Sequence, residues 1–147
     1  MPETQHQELY KAVYDTAFSI AKKYFSHYPL PRSYSFFIEV ENSLIDSYKA
    51  DKAYPLKFGQ EMLNTVCKWF LAGYAGLTKD DIPTIFNSAW AFHRAYMGVQ
   101  LDDAAWDAIL DGANAAAEKL PKCAAGIFIA VLHELERVNN KTQTETI

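Results

Sequence analysis

The sequence predicts an all-α protein, a single-domain bundle of five or six helices joined by short loops. Apolar residues recur at spacings of three and four through six successive segments. Gly and Pro together number only 12 of the 147 residues, and several of them punctuate the segment ends. A single stretch, residues 34–41, alternates like a strand, and no second such stretch exists to pair with it.

Taken in order, residues 7–28 read as one long helix. Leu9, Val13, Ala17, Ile20, Tyr24 and Tyr28 form one row, and Tyr10, Tyr14, Phe18, Ala21 and Phe25 form a second row beside it. So wide an apolar face either sits between two layers or lends one edge to a partner. Pro29 and Pro31 end it. Residues 33–50 carry two signals. Tyr34, Phe36, Ile38 and Val40 alternate, whereas Phe37, Glu41, Leu44, Ile45 and Tyr48 follow helical spacing. A lone strand would leave its backbone unpaired, so a helix is expected.

After a turn at 51–55, a third helix spans 56–75, with Met62, Leu63, Val66, Cys67, Phe70 and Tyr74 as its inner row. Gly76 suits a left-handed cap at its end. Thr78 then opens a fourth helix, with Asp80 and Asp81 at its positive end and Pro83 in its first turn. This helix runs to about Met97, and Ile82, Ile85, Phe86, Ala89, Trp90, His93 and Met97 share one face. Asp102 caps a fifth helix whose inner positions are Ala105, Trp106, Ile109, Leu110, Ala113 and Ala117. Pro121 opens a sixth, with the row Ala124, Ile127, Phe128, Val131, Leu132, Leu135 and Val138. Residues 139–147 form a polar, frayed tail, and the loops fall at 29–32, 51–55, 76–79, 98–101 and 120–121.

Charge and hydropathy exclude several function classes. The formal charge is −4, and its distribution is uneven: residues 49–79 carry +3 and residues 80–118 carry −6. Such a balance gives no general attraction to phosphate backbones or anionic lipid. The longest apolar run, Cys123 to Leu132, has ten residues, whereas a membrane span needs about 20. With no basic region and apolar run at the N-terminus, the expected location is cytoplasmic. Cys67 and Cys123 sit among apolar neighbours and are expected as reduced, buried thiols.

Motif tests are mostly negative. The one Glu-x-x-His pair, Glu3 and His6, lies in the terminus, so the paired motifs of a di-iron bundle are missing. His133-Glu134-Leu135-Glu136-Arg137 begins like a zinc-protease helix but places arginine where the second histidine must stand. It reads instead as an exposed, charged helix end. Gly73-Tyr74-Ala75-Gly76 has the spacing of a phosphate-clamping loop without its basic flanks. Asp103, Asp107 and Asp111 share one helix face but lack the pattern of a calcium loop, so an acidic solvated face is expected. No metal, cofactor or nucleophile set is called for. The turn between the third and fourth helices invites a helix-turn-helix reading over Gly73–Arg94. Arg94 is the one basic residue from Asp80 to Glu118, so phosphate contacts, the main source of affinity, would be missing.

These residues point to a non-catalytic protein acting through protein–protein contact, as a homodimer or with another protein, with no nucleic acid or membrane partner. The chain has nine tyrosines, a residue type favoured at interfaces. Tyr10, Tyr14, Tyr24 and Tyr28 all fall on the first helix and mark it as the expected seam. A second reading, from a different class, is a small-ligand site, with or without chemistry, in an aromatic pocket around His93 lined by Trp90, Arg94 and Tyr96.

Overall fold

The computed structural model describes the backbone of residues 2–27, 34–71, 77–97 and 102–146, and side chains within 7–23, 38–70, 77–97 and 102–139. Over these residues the chain is all-α. Its helices are α1 (Pro2–His27), α2 (Tyr34–Ala50), α3 (Leu56–Leu71), α4 (Asp81–Tyr96), α5 (Asp103–Glu118) and α6 (Ala125–Thr146), with a single 3-10 turn at Lys122–Ala124 before α6. None of the described helices is long and apolar enough to cross a membrane.

Local chemistry accounts for the starts. Thr78 and Asp81 form a reciprocal capping box: the Thr78 amide donates to Asp81 Oδ2 at 2.7 Å and the Asp81 amide to Thr78 Oγ1 at 3.3 Å. Asp102 Oδ1 accepts from the Ala105 amide at 2.8 Å, the cap expected for α5. The α2–α3 turn is pinned by Asp51, whose side chain accepts from the Ala53 amide at 2.9 Å. Residues 34–41 are helical throughout: α2 packs on α3, and no strand lies among the described residues to complete a sheet.

Four helices close into a ring. α1 packs against α3 and α4, and α6 packs against the same two, so α1 and α6 face each other across the diagonal. α2 covers α3 from outside, and α5 lies on α4 and α6. α1 and α4 run antiparallel: Phe18 meets Phe86 at one end and Tyr10 meets His93 at the other. α3 and α6 also oppose each other, with Trp69 Nε1 on the Cys123 carbonyl at one end and Glu61 on Arg137 at the other. The shared core holds Val13, Phe58, Met62, Ile85, Ile109 and Ile127. Gly126 permits the close approach of α6 to α3, since a Cβ there would lie 2.8 Å from Thr65 Cγ2.

Several boundaries and directions differ from the sequence reading. α1 begins at Pro2 instead of residue 7, and α6 continues to Thr146 instead of fraying from Asn139. One 3-10 turn follows Pro121 before α6 begins at Ala125. Leu110 and Val138, expected inside, are 37% and 45% exposed: Leu110 sits at the edge of α5's buried stripe, and Val138 lies past Leu135, the last buried position among the described side chains of α6. Cys67 and Cys123 are free and half-buried, not fully buried. The expected cap at Gly76 and the clamp at Gly73–Gly76 lie outside the described residues.

Candidate functional site

His93 is set inward by helical spacing alone, since it continues the row Ile82, Ile85, Phe86 and Ala89, all buried. It is 1% exposed. Four rings from three helices surround it, at centroid distances of 4.7 Å (Tyr10), 5.3 Å (Phe58), 5.9 Å (Tyr14) and 6.2 Å (Trp90). Its Nδ1 lies 3.1 Å from Tyr14 Oη, which also approaches the Ala89 carbonyl at 3.4 Å. Burial lowers the imidazole pKa from 6.5 to about 4, so the ring is neutral at pH 7. A neutral ring carries one N–H and one acceptor nitrogen, and its Nδ1 is the nitrogen paired with the Tyr14 hydroxyl.

A charged network begins beside this cage. Tyr10 Oη donates to Glu134 Oε2 at 2.5 Å. Arg137 Nε donates to Glu134 Oε1 at 2.9 Å, and its buried Nη2 lies 2.9 Å from the same oxygen without forming a hydrogen bond. Arg137 Nη1 donates to Glu61 Oε1 at 2.7 Å, and Glu61 Oε2 meets His133 Nδ1 at 2.8 Å. Arg137 thus joins a carboxylate of α3 to one of its own helix. Burial opposes its charge, but the hydrogen bonds and charges of Glu61 and Glu134 outweigh this and raise its pKa. Burial, followed by the Glu134 charge and hydrogen bond, pushes the Tyr10 phenol well above its ordinary value. Tyr14 is raised too, by burial and then by Tyr10. Both phenols stay protonated donors.

The network is what the sequence reading missed. Residues 133–137 were expected as an exposed helix end, yet Glu134 is 7% exposed and Arg137 only partly exposed. The signal was present: position 134 falls between Val131 and Val138 on the apolar row of α6, three residues before an arginine. A carboxylate on such a row has to be paired.

The residues expected to share a pocket with His93 diverge. Trp90 packs against the cage and Tyr14, at 5.1 Å. Arg94 is exposed, its guanidinium 5.5 Å from the outer face of Trp90. Tyr96 lies against Gly112 of α5 and meets Phe92 at 5.1 Å with the rings tilted by 55°, and Phe92 in turn meets Phe128. The rings of Tyr10, Tyr14, Phe58 and Trp90 are the neighbours that His93 meets instead. A water-sized hole of about 10 Å³ does lie elsewhere, between α1, α2 and α3, lined by Val13, Ala17, Leu44, Gly59 and Leu63.

Of the expected seam, Tyr10 and Tyr14 point into the core at 8% and 3% exposure, because both rings are needed to fill the space between α1, α3 and α4. The side chains of Tyr24 and Tyr28 lie outside the described residues. Asp103, Asp107 and Asp111 are exposed on the outer side of α5. Among the described residues no three His, Cys, Asp or Glu side chains are placed to share a metal ion. No family model, curated protein or solved structure matches the chain.

Proposed function

We propose that the chain is a cytoplasmic helical interaction protein that works as a homodimer and carries no chemistry of its own. The supporting observation is the outer face of α6. This helix packs on α3, α4 and α5, yet Ile129 is 49% exposed, with Ala125 exposed and Leu132 half-buried on the same side. An uncovered β-branched side chain of this size on a central helix is what a second protein surface would bury. The neighbouring α5 exposes Leu110 as well, but Asp103, Asp107 and Asp111 oppose bringing two α5 helices together. On this reading the outer face of α6 is the seam.

Sedimentation at micromolar concentration tests the reading. The expected result is a species of twice 16.7 kDa that dissociates in Ile129→Glu with unchanged helical circular dichroism. A wild-type chain that sediments at 16.7 kDa throughout the micromolar range would overturn it.

A further inference from the structure

His93 sits where the ring of helices converges, and each neighbouring element bears on what a proton there would meet. α1 supplies Tyr10 and Tyr14, both protonated phenols. α3 supplies the Phe58 ring, and its Glu61, one turn on, is engaged by Arg137 and His133. α6 supplies Glu134, whose carboxylate is already committed to Tyr10 and Arg137. On α4 itself, Trp90 closes the cage and Arg94 is turned outward. No uncommitted carboxylate among these groups meets the imidazole. A protonated ring would carry hydrogen on both nitrogens, so Nδ1 would donate to Tyr14 Oη, whose own proton would point to the Ala89 carbonyl. The added charge would remain among rings, away from water.

The other helices stay joined to one another without α1. Trp69 holds α3 to α4 through Phe86, Arg137 holds α6 to α3 through Glu61, and Phe92 holds α4 to α6 through Phe128. None of these links involves α1, whereas two of the four cage rings and the hydrogen bond to the imidazole come from it.

We propose that the His93 cage is an acid-sensitive latch on α1, in which the imidazole takes up a proton only as the turns of α1 up to Tyr14 lift from α3 and α4 and admit water. The direction follows from burial, which holds the closed-state pKa at about 4 against 6.5 in water. A depressed histidine pKa stabilises the closed state fully above about pH 6.5, and that stabilisation is lost as pH falls towards 4.

Hydrogen–deuterium exchange of the full chain at pH 7 and pH 5, corrected for intrinsic rates, reads this directly. Peptides covering residues 7–14 should lose protection on the order of 20-fold at pH 5 and exchange well ahead of those covering 60–70 and 125–135, which open only with the whole fold. His93→Gln should show equal protection of residues 7–14 at both pH values. His93→Phe, which keeps a ring in the cage, is the second variant should the glutamine not fold. Three outcomes overturn the latch: unchanged protection of residues 7–14 in the wild type, exchange of residues 7–14 at pH 5 no faster than that of 60–70 and 125–135, or a pH response that persists without His93.

Discussion

Tyr10 and Glu134 are 124 residues apart in sequence, and their hydrogen bond spans the diagonal of the four-helix ring. It joins α1 to α6, the two helices that the ring otherwise holds apart. Glu134 can be buried there because Tyr10 and Arg137 between them occupy both of its oxygens.

Removing one partner should therefore cost more than removing an ordinary surface contact. Tyr10→Phe leaves Glu134 Oε2 without its donor and should cost about 1.5–3 kcal/mol, the range for a hydrogen bond to a charged group. Arg137→Leu strips a buried carboxylate of its counter-charge and should cost about 3–5 kcal/mol. Urea unfolding of both variants measures the order. Equal, small losses would mean that water solvates Glu134 in the folded chain.

Two glycines should respond to alanine with opposite signs. At Gly59, in the interior of α3, a Cβ would meet Leu44 at an ordinary 3.5 Å and reach into the water-sized hole. Gly59→Ala should stabilise by about 0.5–1 kcal/mol, from helix propensity alone. At Gly126 the same Cβ would lie 2.8 Å from Thr65 Cγ2, and the Thr65 hydroxyl is tied to the Glu61 carbonyl at 3.0 Å. Gly126→Ala should destabilise by about 1–3 kcal/mol through overpacking. Thermal melts of the pair settle the signs.

Acid should weaken the fold through His93 before any other effect is invoked. The neutral imidazole is favoured in the folded chain, so stability is complete above about pH 6.5 and declines towards pH 4. Between pH 7 and pH 5 the loss should be about 2 kcal/mol. His93→Phe should remove that slope in denaturant titrations, even where it changes stability at pH 7.

The two thiols should react slowly. Burial raises the pKa of both Cys67 and Cys123; at Cys123 a backbone hydrogen bond offsets part of this and the Asp81 charge adds to it. Less thiolate means slower attack on a disulfide reagent. Thiol titration of the native chain at pH 7 should lag well behind that of the denatured chain, in which both groups react at once. Because both cysteines are half-buried, the native reaction should be slow rather than absent.

The caps offer a local check. Asp102→Ala removes the acceptor for the Ala105 amide and should cost about 1 kcal/mol in a melt.

What the sequence determined by itself was local. Helical spacing placed His93 inward with Ile85, Phe86 and Ala89, and Asp102 and Thr78 announced helix starts, because each of these signals is complete within about four residues. Tertiary structure decided the rest. Residues 34–41 carried two competing periods, and packing on α3 chose the helix. Tyr10 and Tyr14 could equally have faced a partner, and only the meeting of α1 with α3 and α4 turned them inward. Glu134 read as a surface carboxylate until Tyr10, 124 positions away, supplied its hydrogen bond. Local spacing fixes which side of a helix a residue occupies, but the groups that will face it are chosen by how distant helices pack.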